Sequence, residues 1–164
     1  MKKIILLIAA ALFALPSFAQ DYSPNRHVSL KDCGYDTLQY IKLNFWEHRN
    51  RYIGLPMDSL FNDIELEIKD FGYVIDEHRK VKGMIFNHLH RNEQAVFNRL
   101  NKPYYTLFIY FREPYTVNAE SYPRRGVYWT ETYRNFFKDF IIDRVLLVKM
   151  QNNKIIESLY SEDK

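Results

Sequence analysis

The chain has 164 residues, 47% of them hydrophobic and 16% aromatic, with a formal net charge of +3. So apolar a composition excludes a disordered polymer, and its charges of both signs are interspersed without the basic block that a nucleic-acid partner requires. A single cysteine, Cys33, excludes a disulfide framework, so packing has to hold the fold.

Lys2 and Lys3 precede an almost unbroken apolar run from Ile4 to Leu15. Pro16-Ser17-Phe18-Ala19-Gln20 closes it with small residues where a signal peptidase reads. This is the pattern of a secretory signal peptide, residues 1–19, cleaved after Ala19. The expected mature product is a single exported domain, residues 20–164, periplasmic or secreted. Losing Lys2 and Lys3 leaves 21 basic against 20 acidic residues, a near-neutral body. No later stretch is long and apolar enough for a transmembrane anchor. Cys33 lies too far past the cleavage point to carry a lipid, and it reads as a buried small hydrophobe or as a thiol pairing two chains.

Residues 20–34 read as a polar, extended lead-in without periodicity. Asp36 is placed as an N-cap with Gln39 three residues on, and Leu38, Ile41, Phe45 and Trp46 supply an apolar stripe, predicting a helix to about Asn50. Gly54 breaks it. Pro56 suits the first turn of a second, short helix, in which Met57, Leu60, Phe61 and Ile64 share a face. Residues 68–75 and 84–86 are rich in β-branched and aromatic types with punctuating glycines, predicting two strands joined near 77–83. Residues 92–103 fit a short helix or irregular chain equally.

The clearest strand is 104–112. Tyr105, Leu107, Ile109 and Phe111 make one face apolar, while Tyr104, Thr106, Phe108, Tyr110 and Arg112 make the other amphipathic. After a long connection, Tyr133, Phe136, Phe137, Phe140 and Ile141 predict a helix over 130–142. Residues 145–150 and 155–160 flank Asn152-Asn153, whose tolerance of left-handed backbone suits a hairpin. The sum is an α+β fold: two N-terminal helices, then an antiparallel sheet of about four or five strands, with one further helix before a C-terminal hairpin.

The connection over 113–129 is longer than compact domains usually carry, and such loops are disproportionately functional. It holds Tyr115, Tyr122, Arg124, Arg125, Tyr128 and Trp129, residue types that bury large contact area at low entropic cost. These six are the candidate ligand- or partner-binding residues, for a protein or carbohydrate ligand in the envelope or outside the cell. The competing reading is that Tyr128 and Trp129 anchor the loop while the arginines are solvated.

Three other constellations carry less. His88 and His90, two apart on a candidate strand, project to one side and could hold a metal if a third ligand came from His27, His48, His78 or a carboxylate. The groups Asp63/Glu65/Glu67 and Asp139/Asp143 have the spacing of solvated surface, and no catalytic set emerges from them. No Gly-rich phosphate loop or Gly-x-Ser-x-Gly elbow occurs, and no cofactor is implied.

Asp32-Cys33-Gly34 ahead of a helix, followed by Leu55-Pro56-Met57-Asp58-Ser59, resembles the nucleophile region of a class of cysteine-dependent cell-wall peptidases. That resemblance implies Cys33 as nucleophile, but the family's strand carrying the catalytic histidine has no counterpart here. The order of elements, with Gly54-Leu55-Pro56-Met57-Asp58-Ser59-Leu60 leading the second helix, is similar to that of β-lactamase-inhibitor-like two-helix-plus-sheet bacterial envelope proteins. This second resemblance implies a non-catalytic role in protein binding. The expectation is therefore an exported, non-enzymatic binding or interaction domain. The alternatives are a peptidase using Cys33 and a metal-binding module using His88 and His90.

Overall fold

The computed structural model describes residues 26–116 and 128–159. Five strands form one antiparallel meander in which each pairs with the next: β1 (Asp70–Ile75), β2 (Lys80–Asn87), β3 (Tyr104–Thr116), β4 (Ile142–Gln151) and β5 (Lys154–Leu159). Helices α1 (Thr37–Lys42) and α2 (Met57–Asp63) precede the sheet. Helix α3 (Arg91–Arg99) joins β2 to β3, and α4 (Glu131–Phe137) leads into β4. The α+β class and the two leading helices match the sequence reading, and α3 resolves the ambiguous stretch as helix.

The lead-in is more ordered than its sequence suggests. Ser29 Oγ accepts from the Asp32 N–H at 3.0 Å. The N–H groups of Gly34 and Tyr35 return to the carbonyls of Lys31 and Leu30, both at 2.9 Å. That pairing closes a single helical turn, and it uses Gly34 in the left-handed region (φ +62) where a Cβ would be strained. Asp36 then caps α1, its Oδ1 accepting from Leu38 and Gln39 N–H at 2.9 and 3.0 Å. Past Lys42 the helix widens into a π-turn over Leu43–Glu47 and tightens into a 3-10 turn over Arg49–Tyr52. One continuous coil thus buries Tyr40, Ile41, Phe45 and Tyr52.

Those side chains pack with Met57, Leu60 and Phe61 against the sheet face formed by Met84, Phe86, Leu107, Ile109, Phe111, Val145 and Leu147. The apolar face predicted for β3 is therefore the core face. On the opposite face, Tyr104 and Thr106 are buried, Phe108 and Tyr110 half-buried, and Arg112 exposed. Phe97 of α3 meets Tyr104 edge-on with centroids 6.4 Å apart, so α3 shelters one end of that face.

Two expectations change. Helix α4 stops at Phe137, and after a turn at Lys138 and Asp139 the chain pairs with the segment that leads into α2. Gly54 N–H donates to Ile142 O at 2.8 Å, Ile142 N–H to Leu55 O at 2.9 Å, Met57 N–H to Phe140 O at 2.8 Å and Asp58 N–H to Lys138 O at 2.9 Å. This also satisfies two N–H groups of α2 that no helical carbonyl can reach. Second, β2 ends at Asn87, and His90 sits at the N-cap of α3. His88 and His90 do not alternate along a strand.

Candidate functional site: a charged, aromatic groove beside a strand bulge

In the β2–β3 ladder, Gly83 pairs with Tyr110 but Val81 pairs with Tyr115, so Lys82 alone stands opposite Phe111–Pro114. Pro114 has no N–H to give a ladder, which is why strand prolines sit at bulges and edges. Arg112 turns its N–H instead to Ile141 O at 2.9 Å. Beyond that bond β3 and the segment entering β4 diverge. They leave an open groove of about 460 Å³ lined by Arg112, Glu113, Pro114, Tyr115, Asp139, Phe140 and Ile141.

Aromatic rings build one wall. Tyr115 meets Phe136 and Phe140 edge-on at 5.4 and 5.7 Å, and Phe140 lies 4.8 Å from Phe111 of the core. The rings are thereby fixed from behind while Phe136 stays 48% exposed. Arg112, Glu113 and Asp139 are exposed. Among the described residues, no ion pair or side-chain hydrogen bond engages any of the three. The Arg112 guanidinium lies over Gly54, its Nη2 3.5 Å from where a Cβ would project, an ordinary contact; it is the left-handed backbone there (φ +82) that favours glycine.

The six residues chosen from sequence do not form one site. Tyr115 is in the groove. Tyr122, Arg124 and Arg125 lie outside the described residues. Tyr128 is 71% exposed with its ring edge-on to His90 at 6.2 Å, just past the end of β2, whereas Tyr115 pairs at the start of that strand. Trp129 is packed against Phe61, Phe71 and Phe86 at 5.2–5.4 Å, which is the anchoring arrangement. Of the groove lining, sequence reasoning passed over Arg112, Glu113 and Phe140 and set Asp139 aside as solvated surface. The available signal was Pro114 continuing an alternating strand, which marks a bulge.

The other candidates are differently placed. Cys33 is buried, and burial first, then the carboxylates of Asp32, Asp36 and Glu65, push its thiol pKa up, which disfavours the thiolate a nucleophile needs. His27 Nε2 meets Glu65 Oε1 at 2.8 Å while Nδ1 faces Arg51 Nη2 at 3.0 Å. Arginine can only donate, so Nδ1 accepts and Nε2–H donates to the carboxylate. Both ring nitrogens are used, leaving no lone pair to act as a base. Arg51 also donates to Asp63 Oδ2 at 2.9 Å and to the Tyr52 hydroxyl. Burial holds His88 below the usual imidazole range, helped by Lys69. Among the described residues, no group of three or more His, Cys, Asp or Glu is placed to hold a metal ion.

No protein-family model, curated protein or solved structure matches the chain.

Proposed function

We propose that the chain is an exported, non-enzymatic binding domain of the bacterial envelope, and that the groove between Arg112–Tyr115 and Asp139–Ile141 receives its ligand. One observation carries this reading. The sheet gives up ladder pairing at the bulge and there collects an aromatic wall with three charged side chains that form no ion pair among the described residues. A concave site with an apolar wall and a few convergent polar groups has the make-up of a ligand pocket. The disfavoured Cys33 thiolate and the doubly engaged His27 supply no catalytic set. The first nineteen residues support export.

Two experiments test this. Expression of the full chain in a bacterial host should yield a periplasmic product beginning at Gln20, and retention of residues 1–19 would count against export. An amide-resolved NMR titration of residues 20–164 with panels of short peptides and cell-wall oligosaccharides should move resonances of Arg112–Tyr115 and Asp139–Ile141. Tyr115→Ala should abolish the shifts while resonances away from the groove stay those of the folded protein. Shifts that map elsewhere would remove the groove from the proposal.

A further inference from the structure

We infer that the groove recognises a dipolar peptide: a short extended segment with a free α-carboxylate at one end, a cationic group at the other and an apolar side chain between. This inference rests on the groove being the ligand site and names the ligand's chemistry.

The charges argue first. Arg51, Arg91 and Arg134 each hold a carboxylate, at 2.9, 3.3 and 3.5 Å. Among the described residues Arg112 holds none, although Glu113 and Asp139 line the same groove. No pair among these three comes within the 4.0 Å of an ion pair, so the groove keeps unlike charges apart. An arginine guanidinium offers two parallel N–H donors to an incoming carboxylate. Glu113 and Asp139 together ask for a cation. One ligand meets both demands only if it carries both charges.

The walls argue next. Tyr115, Phe140 and Ile141 present apolar surface between the charged groups, which suits an aliphatic or aromatic side chain. Arg112 N–H is already bonded to Ile141 O and Pro114 has no N–H, so recognition in this groove falls to the side chains. The volume, about 460 Å³, lies within the range of about 300–1,000 Å³ typical of small-ligand sites. A neutral sugar could stack on the rings and bond the carboxylates, but it would leave Arg112 without an anion.

The test uses residues 20–164 and pools of tripeptides with N-terminal lysine and apolar residues at the other two positions. Each pool is made as free acids and as C-terminal amides. Chitotriose and trigalacturonate serve as the neutral and anionic sugar arms. The acids should bind at least tenfold more tightly than the amides, and Arg112→Gln should erase that difference. The double variant Glu113→Gln with Asp139→Asn should erase the advantage of lysine over norleucine. Tyr115→Ala should weaken every peptide. If acids and amides bind alike, or only a sugar binds, and Tyr115→Ala still abolishes binding, the dipolar-peptide assignment fails while the groove survives. If no probe moves the groove resonances, or Tyr115→Ala leaves binding intact, the groove fails as well.

Discussion

The side-chain amide of Asn44 satisfies both backbone hydrogen-bonding groups of Val28. Val28 N–H donates to Asn44 Oδ1 at 3.0 Å, and Asn44 Nδ2 donates to Val28 O at 2.8 Å and to Tyr40 O at 3.1 Å. Asn44 is fully buried at the start of the π-turn. One side chain thus does for the lead-in what a neighbouring strand would do. Asn44→Ala leaves the Val28 peptide unpaired and should cost about 2–4 kcal/mol. Asn44→Asp keeps the acceptor but loses the donor and should be comparably harmful. Urea unfolding gives the loss, and amide exchange at Val28 localises it. A change below the error of the fit would show that the lead-in is not held this way.

Two glycines in the sheet make a matched pair. A Cβ on Gly83 would fall well inside the carbonyl oxygen of Ile109, because the bulge draws β2 and β3 together there. A Cβ on Gly72 would stand at ordinary contact distance, 3.9 Å from Ile85. Gly83→Ala should therefore cost about 3 kcal/mol or more through overpacking against backbone. Gly72→Ala should change stability by less than about 1 kcal/mol, since it also relieves the entropic cost of glycine in a strand. Equal effects in thermal denaturation would contradict the geometry of the bulge.

What could be read from the sequence follows from what repeats along it. The alternation of Tyr105, Leu107, Ile109 and Phe111 places the first part of β3 and its core face correctly, although the strand runs past the bulge to Thr116, into what reads in sequence as the connection. Asn152 and Asn153 do take left-handed backbone (φ 51 and 58) in the final hairpin. Helix α3 has no buried residue, so it leaves no apolar stripe to recognise. The period of Phe136, Phe137, Phe140 and Ile141 overran α4, because Phe140 and Ile141 are apolar for a different reason. They belong to the extended segment that pairs with the chain ahead of α2. The groove needs a ladder offset between β2 and β3, and an offset is a property of two strands together. Only Pro114 hinted at it.

Cys33 closes the one-turn helix rather than opening α1, its carbonyl accepting from Asp36 N–H at 3.1 Å. The electrostatic setting follows from that position: the carboxylates of Asp32 and Asp36 flank the thiol along the chain, and Glu65 adds to them from the α2 exit. A thiol-specific disulfide reagent at pH 7 should leave the folded protein essentially unlabelled, and labelling should become complete on denaturation. Rapid labelling in the native state would restore the nucleophile reading.

The pH profile should be asymmetric, for reasons traceable to single groups. The pKa of His88 is depressed in the fold, chiefly by burial and then by Lys69. Above its ordinary value of 6.5 it has no effect. Below that value the unfolded chain takes up a proton the folded protein resists, so stability falls as the medium acidifies. Glu65 is lowered by its hydrogen bonds from His27 and the Leu30 N–H, and Glu93 chiefly by the His90 N–H. Their contribution is complete above the ordinary value of 4.5 and disappears as pH falls through the lower folded values. The acid limb should therefore begin near pH 6.5 and steepen below 4.5. On the alkaline side, burial pushes the Tyr40 pKa up to about 12 and raises that of Tyr52 further, so stability should decline once the unfolded tyrosines ionise above pH 10. Urea midpoints across this range test both limbs. His88→Gln should flatten the slope between pH 6.5 and 4.5 whatever it does to absolute stability. An unchanged slope would mean that His88 is not the group that resists protonation.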